Sequence, residues 1–165
     1  MGHRAEKDYP AAIAIHQEYL AQRRARDPES EDVAIALNDL TDVERLQRDL
    51  SAAERDYREA LRMSKKAGSR ELVAGLTGSL AELALDREEW AAAEALSREA
   101  LGLAEGLGRQ QLVGAHCQRL AAALARQGRP QEGLPCAQRA VEIYTLLLIP
   151  DDLATTQAAL KECGG

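Results

Sequence analysis

The sequence predicts an all-α protein of about eight helices stacked as antiparallel hairpins, and three observations carry that prediction. Ala and Leu, both strong helix formers, lead the apolar content, and no stretch alternates apolar and polar residues like a half-buried strand. Apolar residues recur instead at helical spacing, in stripes that come two at a time. The decapeptide AAERDYREAL at 52–61 returns as AAEALSREAL at 92–101, with seven letters in common and an offset of 40. Charged residues at 29% and apolar residues at 45% mark a chain that folds rather than one that stays disordered. Aromatics are only 3%, with no Phe, so the core has to be built from Leu, Ala, Val and Ile.

Sliding the chain against itself by 40 residues aligns four columns. They are Leu40, Leu80, Leu120 and Leu160; Val33, Val73, Val113 and Leu153; Leu20, Ala60, Ala100 and Ala140; and Pro10, Leu50, Trp90 and Pro130. A fixed period of this size signals a repeat architecture whose units complete their cores by stacking on neighbours.

Along the chain, residues 10–26 align with the second helix of a unit, with no first helix before them. Pro10 suits a first helical turn, and Arg23, Arg24 and Arg26 fall where a helix ends and its dipole favours cations. Ile13, Tyr19 and Leu20 are expected to lack part of their cover there, leaving a helix prone to fray or to pair with another copy. The first full unit, 31–66, carries one stripe of Val33, Ala36, Leu37, Leu40 and Val43 and another of Leu50, Ala53, Tyr57, Ala60, Leu61 and Ser64. The connections QRD, REE and QGR are so short that the two helices of each unit must run antiparallel. The second unit is 71–106, with Asp86 and Glu89 spaced as a capping box. The third is 111–147, opened by Pro130 in its second helix and expected to bend, not break, at Pro135. The pairs Glu88–Glu89 and Asp151–Asp152 fall at helix starts, where negative charge is stabilising. KKAGSRE, EGLGRQQ and LLIPDD each hold Gly or Pro to stop a helix. Residues 151–163 make a final first helix, whose outer face of Gln157, Lys161 and Glu162 suits a cap. The whole is read as one array over 1–165, a C-terminal piece of a longer protein.

These residues resemble the tetratricopeptide repeat. Its pattern is a large apolar residue, Leu three on, a small residue next, then Ala, an aromatic and Ala on the second helix. Leu37, Leu40, Thr41, Ala53, Tyr57 and Ala60 follow it in the first copy. Thr77, Leu80, Ala81, Ala93, Ser97 and Ala100 follow in the second, then Cys117, Leu120, Ala121, Gly133, Ala137 and Ala140 in the third. The chain departs from the pattern in its period, since the family's commonest repeat is about 34 residues. Glu44, Ala84 and Leu124 replace the Tyr of the first helix, and the late proline is missing. The added length resembles the long-helix variety of kinesin-light-chain-like proteins and of bacterial signalling proteins. The resemblance implies a right-handed superhelical solenoid.

Charge and motifs exclude several functions. A net charge of −6 disfavours a nucleic-acid surface, which needs clustered cations. No apolar run is long enough to span a bilayer, and MGHRAEKDYP lacks the apolar centre of a leader, so a cytoplasmic protein is expected. Cys117, Cys136 and Cys163 are too few and too scattered for a disulfide framework. His116 beside Cys117 invites a metal or nucleophile reading, yet adjacent helical residues point about 100° apart and Cys117 fills an apolar column. No phosphate loop, cofactor motif, metal set or catalytic constellation is found, and no enzyme is expected.

Binding is what remains. If Leu37, Leu40 and Glu44 face the neighbouring helix, then Ile35, Asn38, Asp42 and Arg45 lie on the other face of theirs. In the family that face of the first helices lines the concave groove where ligands bind. The matching columns hold Gly75, Gly78 and Glu82, then Ala115, Gln118, Ala122 and Ala125 with Arg126 beside them, then Thr155, Ala158 and Glu162. The expected site is therefore Asn38, Asp42, Arg45, Gly78, Glu82, Gln118, Ala122, Arg126 and Glu162, a floor of small residues with amides to pair with a peptide. Asp42, Glu82 and Glu162 share a column, which favours neutral or basic protein segments, with no nucleic-acid or membrane partner. Asp42 stands where the family's carboxylate clamp has Asn, so no C-terminal carboxylate grip is expected. The alternative is an architectural or sensor array that packs on other domains of its parent chain or self-associates.

Overall fold

The computed structural model describes residues 9–147 and 150–164, without the side chains of Pro150, Asp151 and Leu153. The side chains of Leu153, of the valine column, and of Asp151, of the acidic pair, thus lie outside what the structure describes. The helices are α1 (Tyr9–Arg26), α2 (Glu31–Leu46), α3 (Leu50–Ala67), α4 (Arg70–Asp86), α5 (Trp90–Leu107), α6 (Gln110–Arg126), α7 (Pro130–Leu147) and α8 (Pro150–Glu162). No strand occurs among the described residues, as the sequence predicts. The chain divides into two compact units, Met1–Gly68 and Ser69–Gly165.

In the first unit α1 packs on α2 and α2 on α3. The stripes set this arrangement. Val33, Ala36, Leu37 and Leu40 of α2 are buried together with Ala53, Tyr57, Ala60 and Met63 of α3. Each full-sized side chain withdrawn from water in this way contributes about 1.5–3 kcal/mol. Leu20, expected to be short of cover, is buried, and Ile13 is half-buried. The apolar residue left out on α1 is Ile15, 68% exposed. Tyr19 is exposed, but Arg23 lays its guanidinium over the ring, 4.6 Å from the centroid. The basic end of α1 is taken up by acids, with Arg23 on Asp32 at 3.3 Å and Arg24 on Glu59 at 3.0 Å. Glu44, in the family's tyrosine column, is buried with one carboxylate oxygen unpartnered. Burial, then the nearby Asp56, pushes its pKa up.

In the second unit α4, α6 and α8 pack side by side, α6 touching both of the others. Helix α5 packs on α4 and α6, and α7 on α6 and α8. Fully buried Ala93, Ala100, Ala137 and Ala140 keep these helices close. At Gly133 the approach is tighter still: a Cβ there would stand 3.1 Å from the Ala121 carbonyl and from Cys163 Sγ. Helix α7 runs unbroken through Pro135, which is exposed, so the carbonyl left without its helical donor can turn to water.

The short connections share one backbone solution. Arg48, Glu88 and Gly128, spaced 40 apart, are left-handed with φ of 72°, 61° and 74°. The next N–H then reaches back to Glu44, Ala84 or Leu124 at 2.8–3.0 Å, and the left-handed residue's own N–H to Arg45, Leu85 or Ala125. This pair of bonds satisfies carbonyls that a helix end would leave orphaned. The capping box expected at Asp86 and Glu89 does not form. Asp86 is the last residue of α4, and Glu89 precedes α5 without a side-chain cap, because the backbone closure already sets the turn. A side-chain cap does occur at Asp49, which accepts the N–H of Ala52 at 3.1 Å.

Candidate functional site

The face carried by α4, α6 and α8 of the second unit holds most of the residues singled out in the sequence. Its centre differs from the expected open floor. Gly78 is buried, and the ring of His116 on the next first helix fills the notch its missing side chain leaves. A Cβ at Gly78 would stand 2.6 Å from Nδ1 of His116 and closer still to Cε1. His116 is itself only 1% exposed. Its Nδ1 lies 3.4 Å from Nη1 of Arg119. Arginine only donates, so Nδ1 accepts and the ring proton sits on Nε2, buried without a partner. Burial, reinforced by the Arg119 charge, pushes the His116 pKa down to about 4.

Three polar pairs cross between these helices. Arg119 donates from Nη2 and Nε to one oxygen of Glu82, at 2.6 and 3.0 Å. The hydroxyl of buried Thr156 meets the Gln118 side-chain carbonyl at 3.2 Å. Arg126 and Glu162 pair at 3.2 Å. Their sequence separations of 37, 38 and 36 are close to one repeat less one helical turn. Ala122 lies half-buried among them, as do Ala115 and Ala125. Glu82 and Glu162, read from the sequence as part of an acidic column relieved locally by Arg45 and Arg126, are each paired with an arginine. Arg119, Thr156 and His116 were outside the expected site. The signal that finds the first two is a polar partner 36–38 residues away, not membership of one column.

Asn38, Asp42 and Arg45 belong to α2 of the first unit. Asp42 is not an open acid, because it accepts the hydroxyl of buried Tyr57 from α3. Asn38 donates to its other oxygen at 3.5 Å. This cluster serves the α2–α3 hairpin before it serves any ligand. Arg45 is half-buried.

Two tetratricopeptide repeat models match the sequence, one over residues 1–66 and the other over 113–152, together more than half of the chain. The chain belongs to the tetratricopeptide repeat family. No curated protein matches it. Among solved structures it is similar to the crystal structure of BtubC (BKLC) from P. vanneervenii, with a TM-score of 0.72 and 18% identity. That likeness covers 92% of this chain and 63% of the other, so this chain spans less than two thirds of BtubC. Tetratricopeptide repeats generally mediate protein–protein interaction and are generally non-catalytic scaffolds. Among the described residues no group of three or more His, Cys, Asp or Glu could hold a metal ion, and no helix is long and apolar enough to cross a membrane.

Proposed function

We propose that this chain is a protein-interaction module that lays a peptide or protein segment across α4, α6 and α8 of its second unit. The observation that carries the proposal is the arrangement around Ala122. Small half-buried residues form a shallow floor there, and Arg119–Glu82, Gln118–Thr156 and Arg126–Glu162 are already held in place beside it. Polar groups fixed before binding lower the ordering cost of binding. Because each acid has an arginine, the face is charge-balanced. It suits a neutral segment, and the sequence argument for a basic one loses force.

The test begins with selection of peptides from a displayed random library against the folded chain, followed by affinity measurement on an Ala122→Glu variant. A folded variant should lose at least tenfold in affinity, because a glutamate would occupy the floor and upset its charge balance. Unchanged affinity would remove the α4–α6–α8 face from consideration.

Exposed Ile15 supports a second reading, self-association through α1. Light scattering of the parent chain and an Ile15→Glu variant decides it. A dimer lost in the variant supports the reading, and a monomeric parent at high concentration ends it.

A further inference from the structure

Cys117 on α6 and Cys136 on α7 meet across the interface between those helices. Cys117 is fully buried, in a core cluster with Val113, Ala140, Ile143 and Tyr144, and half-buried Cys136 packs against that cluster from the side. The two thiols are close enough that each shifts the other's pKa, Cys117 upward and Cys136 downward. Nothing in the repeat demands sulfur at these positions, since the first copy has Leu37 and Asp56 there and the second has Thr77 and Leu96. The third cysteine, Cys163, lies in a separate cluster with Ala121 and Ala137 that Cys136 also borders, and its thiol reaches the Ala121 carbonyl at 3.8 Å.

We propose that Cys117 and Cys136 form a peroxide-oxidisable thiol pair, with half-buried Cys136 as the attacking sulfur and buried Cys117 as the resolving one. The surroundings assign the two roles. The Cys117 thiol beside it, and then the charges of Arg98 and Arg139, which are themselves paired with Glu94 and Glu105, hold the Cys136 thiol below the usual range. Cys117, beside Cys136 and buried, is pushed up. In the first step the Cys136 thiolate attacks one oxygen of hydrogen peroxide, and the O–O bond breaks. The departing hydroxide takes a proton and leaves as water, while Cys136 becomes a sulfenic acid. The Cys117 sulfur then attacks that sulfur, and the sulfenic oxygen leaves with the Cys117 proton as a second water. In total two thiols lose two electrons and two protons, and one peroxide becomes two waters. Both cysteines sit at the packed α6–α7 interface, so the bond can close with a shift between these helices. It would pin α7 to α6, the helix that carries Gln118 and Ala122. The inference does not depend on what binds there.

The experiment treats the reduced full chain with hydrogen peroxide, quenches it, alkylates under denaturing conditions and maps the products by mass spectrometry. Two of the three thiols should become unreactive, and one linked peptide should join Cys117 to Cys136 within a single chain. The Cys163→Ser variant should still form the link, whereas Cys136→Ser, altered at a half-buried position and checked for helicity, should form none. In Cys117→Ser a dimedone adduct should appear on Cys136. Three thiols still reactive after treatment, a Cys136–Cys163 link, or links only between chains would overturn the proposal.

Discussion

Acid should weaken the second unit through His116. The free imidazole titrates near 6.5, and in the fold the value falls to about 4 because the ring is buried and Arg119 stands beside it. A depressed histidine pKa means that, between these values, the unfolded chain binds a proton the folded one refuses. Stability from this group is therefore complete above about pH 6.5 and declines as pH falls towards 4. Below that it levels off. A gap of 6.5 to about 4 corresponds to about 3 kcal/mol in full, of which about 2.5 is lost by pH 4.5. Urea unfolding at pH 7.5 and 4.5 of the parent chain and of His116→Gln measures this, since carboxylates that titrate in acid are common to both. The parent should lose about 2.5 kcal/mol more than the variant, and the His116 ring signal in NMR should titrate near pH 4. Equal acid sensitivity in the two proteins, or a ring titrating near 6.5, would refute the reasoning.

Further outcomes follow from the backbone and the core. Glu88→Gly should raise stability by about 0.5–1 kcal/mol, since Glu88 holds φ 61° where the next copy has Gly128, and a higher midpoint in thermal circular dichroism would show it. Gly78→Ala should lower stability by about 1–3 kcal/mol despite the better helix former, because its methyl would overlap the buried ring of His116. Denaturant titration checks the sign. Glu44→Leu should stabilise the first unit by about 1–2 kcal/mol, as a buried carboxyl with an unpartnered oxygen gives way to the kind of residue found at Leu124. The raised Glu44 pKa makes its penalty grow as pH rises through the folded value, so the gain should be larger at pH 8 than at pH 4, again by denaturant titration.

The fold was legible because a solenoid writes its packing into sequence at a fixed period. Leu40, Leu80 and Leu120 recur at 40 because each meets the same neighbours in its own hairpin, and all three are buried. The site was less legible because its pairs join adjacent repeats on a diagonal. Glu82 looked like an unopposed acid while attention stayed on its column, yet its partner Arg119 sits one residue beyond the Gln118 column. Gly78 looked like open space, since a glycine does not reveal in sequence which neighbour fills its notch. Asp42 gave no hint of Tyr57, whose buried ring followed from the repeat pattern but whose hydroxyl needed an acceptor the pattern does not specify. The turns escaped for a related reason. Their closure is a backbone bond pattern, and only Gly128 among the three left-handed residues carries its usual sequence sign.

Amide chemical-shift mapping of a selected peptide on the isotopically labelled chain tests the central claim most directly. Binding across the first-helix face predicts that Gly75, Ser79, Ala115, Gln118 and Ala122 shift together, with the Arg119 side-chain signals moving as its pairing with Glu82 adjusts. The exposed residues Arg98 and Glu99 of α5 and Gln138 and Glu142 of α7 should stay in place. Shifts concentrated on those α5 and α7 residues, with Gln118 and Ala122 unmoved, would contradict the account.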